Sequence, residues 1–125
     1  MAYSGIGFAG PVLEGMEERW RRFLQELAST RRKDCDDLRH RLGVGRHQVW
    51  LVRIRRTDLA VVYLECADPG TIVARLAAST EPFARWLTAR LAEFHGCDLA
   101  GPDLRRPPEL VFDSDGRSSD PRHET

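Results

Sequence analysis

Residues 46–66 read RHQVWLVRIRRTDLAVVYLEC, two runs of Val, Ile, Leu, Trp and Tyr separated by a short charged break. Such residues fit a pleated, half-buried surface, so the stretch predicts a β-hairpin with its turn at Arg56-Thr57. The turn lacks an Asn-Gly signature, which leaves its type open. With Arg55 set opposite Asp58, Ile54 faces Leu59, Val52 faces Val61, Trp50 faces Tyr63 and Gln48 faces Glu65. Side chains alternate along a strand, so these pairs share one face, while Leu51 with Val62 and Val49 with Leu64 share the other. The second face is purely aliphatic and suits a cover of helices. The first runs from aliphatic at the turn to Trp, Tyr, an amide and a carboxylate at the far end, the composition of a pocket wall. A slip of one residue would exchange the faces, so the register is a testable expectation.

The rest of the chain supplies elements to place around this hairpin. Tyr3–Pro11 alternates small residues with Ile6 and Phe8, a first strand weakened by glycine and open to close approach. After a turn at Pro11–Gly15 the period changes. Met16, Trp20, Phe23, Leu24 and Leu27 form a helical stripe, followed by Cys35, Leu38 and Leu42. This predicts one long helix with a break near Ser29, ending at Gly43. Asp68-Pro69 opens a short helix to about Ala78. A further helix from Pro82 carries Phe83, Trp86, Leu87, Leu91 and Phe94 and stops at Gly96. After a loop, Glu109–Asp113 (ELVFD) reads as a last strand. The chain beyond it has no apolar anchor, which predicts a domain over residues 1–113 and a disordered tail over 114–125.

The expected order is therefore β-α-β-β-α-β, an α+β, ferredoxin-like arrangement. It has a four-stranded antiparallel sheet with helices on one face. The face carrying Trp50, Val52, Ile54, Leu59, Val61 and Tyr63 would then be uncovered, and it is too apolar to meet water in a monomer. A second copy of the sheet is the simplest cover, so a homodimer through the open face is expected.

Composition narrows the partners. The net charge is zero, with an excess of five positive charges over residues 1–57 and of five negative charges over residues 58–125. A nucleic-acid-binding domain would carry a basic excess overall, so no nucleic-acid role is expected. The longest apolar run, Leu59–Leu64, is far too short to span a membrane. Three dispersed cysteines, with no Cys-x-x-Cys and no signal peptide, fit reduced thiols in a cytoplasmic protein.

The segments VWLV (49–52), LAVVYLE (59–65), DP (68–69), FARWL (83–87), FHGCDL (94–99) and PELVFD (108–113) add a family likeness. Together with the element order, they resemble the dimeric α/β-barrel superfamily, with its antibiotic-biosynthesis monooxygenase and EthD-like groups. Within it they resemble a group of small actinobacterial proteins. The likeness spans about residues 5–113 and is specific for fold rather than activity. It implies a cavity between sheet and helices. Members include cofactor-free oxygenases of aromatic polyketides, cyclases, dehydratases, haem-degrading enzymes and proteins without chemistry, so fold alone does not choose among them.

The residues themselves suggest a site. Glu65 ends an apolar strand on the face of Tyr63, Trp50 and Gln48, where partial desolvation would raise its pKa towards a general acid or base. His95, four residues after Leu91, would shuttle a proton at the cavity mouth. Gln48 would orient a substrate, while Trp50, Tyr63 and Trp86 would form its wall. Each has a plainer alternative in packing or solvation. His47 projects to the helix-facing side and reads as structural. The histidines show no metal-ligand spacing, and nucleophile elbows and nucleotide-binding glycine loops are absent, so neither metal nor cofactor is expected. The leading expectation is a cofactor-independent enzyme that moves a proton on a small apolar, aromatic or polyketide-like molecule. The alternatives are a dimeric small-molecule-binding or accessory protein and, more weakly, a haem protein with His95 as axial ligand.

Overall fold

The computed structural model describes residues 4–98, 101 and 107–116. The chain forms strand β1 (Ser4–Pro11), helices α1 (Glu17–Ala28) and α2 (Arg32–Leu42), and strands β2 (Val44–Ile54) and β3 (Thr57–Cys66). A single 3-10 turn at Pro69–Thr71 leads into α3 (Ile72–Ala78), and α4 (Pro82–His95) follows. The described residues thus make an α+β fold with one three-stranded antiparallel sheet and four helices. The strand order is β1-β3-β2, with β3 in the centre.

The hairpin forms, but its register differs from the expected one by two residues. Val52 pairs with Leu59, Trp50 with Val61, Gln48 with Tyr63 and Arg46 with Glu65. The turn is Arg55-Arg56, one residue earlier than expected, with Arg55 at φ 57°. A two-residue loop with positive φ at its first central position follows the right-handed twist of the strands, so the tight turn decides the register. A slip of two preserves side-chain parity. The two faces therefore have the expected composition although every cross-strand partner has changed. A bulge between Val44 and Arg46 shifts the pairing at the far end.

β1 sets Ile6 and Phe8 on the face of Leu64 and Val62, and Gly5, Gly7 and Ala9 on the face of Glu65, Tyr63 and Val61. All four helices lie on the first face. Trp20, Phe23 and Leu27 of α1, Leu38 of α2, and Phe83, Ala84 and Phe94 of α4 are buried there with Ala60 of the sheet. Each buried aromatic withdraws apolar area worth about 1.5–3 kcal/mol. The expected break in the first helical segment falls at Ser29–Arg31, where the amides of Ser29 and Arg31 both donate to the Glu26 carbonyl. α2 and α4 end on left-handed glycines, Gly43 and Gly96, because only glycine enters that conformation without a Cβ clash.

The fourth strand expected over Glu109–Asp113 does not form. Residues 107–115 belong to no element, and Leu110, Val111 and Phe112 are 77%, 85% and 80% exposed. Strand-favouring residues make a strand only where an edge pairs with them, and this segment lies against none. The tail expected from residue 114 onward lies, beyond residue 116, outside the described residues. Among the described residues no helix is long and apolar enough to cross a membrane.

Candidate functional site

The sheet and the helices do not close completely on each other. Between them lies a cavity of about 230 Å³ whose wall is almost wholly apolar. Phe8, Val49, Ala60 and Val62 form its sheet side, and Trp20, Phe23, Leu38, Leu76 and Leu91 its helical side. Aliphatic parity creates the sheet side, since these positions alternate with residues of the open face. The four helices supply the other wall through their apolar stripes.

A few polar groups interrupt the lining. At one end stand Arg39 of α2 and His47 of β2. The Arg39 guanidinium donates to the Gly45 carbonyl at 3.2 Å and to the Asp36 carboxylate at 2.8 Å. His47 is exposed to solvent on one side and lines the cavity with the other, so its withdrawal from water is incomplete. Withdrawal from water, and then the nearby Arg39 charge, hold its pKa below the ordinary 6.5. At the other end stand His95 and Cys97. Strand geometry separates His47 from the Pro11 carbonyl beside His95 by roughly 19 Å. Cys35 also lines the cavity, and burial pushes its thiol pKa up, so it stays protonated.

His95 is held firmly. Its Nδ1 lies 2.7 Å from the Pro11 carbonyl oxygen, and its ring meets Trp20 edge-on at 6.5 Å between centroids. A carbonyl only accepts, so Nδ1 carries the proton and donates, which leaves Nε2 of the neutral ring with its lone pair.

The other expected site residues lie elsewhere. Gln48, Trp50, Tyr63 and Glu65 share the open face of the sheet, on the side opposite the cavity. There the Tyr63 hydroxyl donates to Glu65 at 2.8 Å, and this bond, with burial second, raises the Tyr63 pKa above 10.0. The Tyr63 ring lies over Gly5, where a Cβ would stand 2.7 Å from the hydroxyl oxygen. Glu65 also faces Arg46 at 3.9 Å and keeps 39% of its side chain in solvent. Trp86 belongs to neither place. It packs on Phe23 and Phe83, carries the Arg31 guanidinium 4.0 Å above its ring, and borders a polar recess between α1 and α4.

Of the six residues expected to make one site, only His95 reaches the cavity, and the four on the open sheet face form a second cluster. Arg39 and His47 were not expected to be functional. The available signal was parity: His47 falls among inward-facing aliphatic residues of its strand, where a polar side chain has no packing advantage. Compared with models of known protein families, with curated proteins and with solved structures, the chain matches none.

Proposed function

We propose that this protein binds a small, largely apolar molecule in the cavity between its sheet and helices, and that it works as a homodimer joined through the open sheet face. The observation that carries the binding reading is the cavity itself, about 230 Å³ of apolar-lined space whose arginine and histidine side chains stand at its ends. A well-packed interior leaves few voids larger than a water molecule, and an apolar cavity stays dry or takes an apolar guest. The dimer reading rests on the other face. Trp50 and Ile54 are 49% and 54% exposed there, and the adjoining β1 presents Gly5, Gly7, Ala9 and Pro11, a low surface that admits a second sheet closely. Two such sheets face to face would make the dimeric barrel that the sequence resembles, with Leu110–Phe112 available to complete it.

A second reading, a cofactor-independent enzyme that moves a proton on the bound molecule, is favoured by His95. Its fixed tautomer leaves a basic nitrogen at the end of an apolar chamber. The Tyr63–Glu65 pair has no role in that chemistry within one chain, because the sheet separates it from the chamber.

Calorimetric titration with neutral naphthol tests the binding reading. Saturable binding of one molecule per chain, with a raised melting temperature, is expected. Val62→Phe, which fills the cavity from the sheet side, abolishes binding while the far-ultraviolet circular dichroism is retained. Absence of binding, or binding that survives the filled cavity, refutes it. Turnover of a bound ketone or polyketide that disappears in His95→Gln, with binding retained, selects the enzyme reading.

A further inference from the structure

We infer that the cavity selects an apolar molecule bearing one carboxylate, whose acid group sits at the Arg39–His47 end while its body fills the apolar chamber. This deepens the binding reading above and rests on it. Apart from the weakly donating Cys35 thiol the chamber has no directional groups along its walls, so whatever orients a ligand strongly must act at an end. The two ends differ in kind. The His95 end offers a ring already tied to the Pro11 carbonyl. The Arg39 end offers a permanent cation that lines the cavity.

The bonding capacity of Arg39 is only partly used. A guanidinium has five N–H donors. One Nη1 hydrogen goes to Gly45 and one Nη2 hydrogen to Asp36, which leaves three for a ligand or water. His47 lines the same cavity within reach of the Arg39 charge, and its ring adds a donor. The surroundings are cationic as well. Arg75 lies across the carboxyl end of α2, donating to the Leu42 and Arg41 carbonyls at 3.3 and 3.1 Å. It covers the exposed C=O groups that would otherwise repel an anion there. Asp36 is the acidic group that faces Arg39, and it is shared with Arg32 at 3.7 Å. The positive field is felt at His47, where it disfavours a second positive charge, and the same field favours a carboxylate.

The test uses decanoate and decanol, two unbranched ten-carbon probes with different heads, titrated calorimetrically into the 125-residue chain. Decanoate binds about tenfold tighter than decanol, the size expected of a charged hydrogen-bonded pair at a partly exposed site. Added salt erodes that preference without touching decanol. Arg39→Gln brings the two affinities within about twofold of each other by weakening decanoate alone, whereas Arg39→Lys retains part of the difference. Val62→Phe abolishes binding of both, which places them in the cavity rather than on surface arginines. Should Arg39→Gln not fold, the salt dependence of the native protein and the loss of preference in His47→Ala decide the matter. Equal binding of the two probes to the native protein, or a preference that survives Arg39→Gln, overturns the assignment of the acid site and leaves the apolar-ligand reading standing. Binding of neither overturns both.

Discussion

At the scale of single residues, parity along a strand decides which chemistry a side chain can enter. Glu65 and Tyr63 are fixed on the open face by their position in β3, and their hydrogen bond follows from being two apart on one side of the strand. His47 is fixed on the inner face by the same rule, and its neighbours then set its titration. Loss of water, with Arg39 behind it, holds its pKa below 6.5. The unfolded chain therefore takes up a proton in a range where the folded chain does not. Its contribution to stability is full above about pH 6.5 and is lost as the pH falls through that value towards the depressed one. Urea unfolding from about pH 7 down to about pH 5.5 should show a steeper loss of stability in the native protein than in His47→Gln. Matching slopes would assign the proton uptake to another group. Parity was legible in the sequence. The approach of Arg39 was not, because it depends on where α2 comes to rest beside β2.

At the scale of elements, the sequence marked the ends of helices better than it marked partners. Gly43, Gly96 and Pro82 act at the positions where a left-handed residue or a missing N–H is tolerated, so they terminate or start helices wherever the helices pack. Strand register is different. The hydrophobic pattern of β2 and β3 is satisfied equally by the expected register and by one displaced two residues, and only turn geometry separates them. That geometry places Arg55 in the left-handed region. The conformation costs a non-glycine residue about 1–2 kcal/mol, and glycine gives back part of the gain in chain entropy. Arg55→Gly should therefore stabilise the protein by about 0.5–1 kcal/mol in urea unfolding. A loss of stability would mean that the arginine side chain contributes more than its backbone costs. The ELVFD segment teaches the same lesson: its composition favours a strand, but pairing is a property of two segments and only one of them is visible in the composition.

At the scale of the whole molecule, the sheet has two faces with different fates. One is covered by four helices around a cavity, and the other is left with Trp50, Val52 and Ile54 in solvent. If a second copy covers that face, Val52→Asp with Ile54→Asp should turn a dimer into a monomer in sedimentation velocity. The same variant should leave naphthol binding unchanged, because the substituted side chains point away from the chamber. A native protein that sediments as a monomer at every concentration would remove the dimer reading. The sequence by itself determined the α+β class, the hairpin, the helix boundaries and which residues share a face, because those follow from local periodicity and from glycine and proline stereochemistry. Only the tertiary structure decided that His95 and Glu65 lie on opposite sides of the sheet, that Arg39 and His47 line one cavity, and that among the described residues three strands pair where four were expected. Those outcomes depend on packing between segments distant in the chain, and the periodicity of one segment does not encode the position of another.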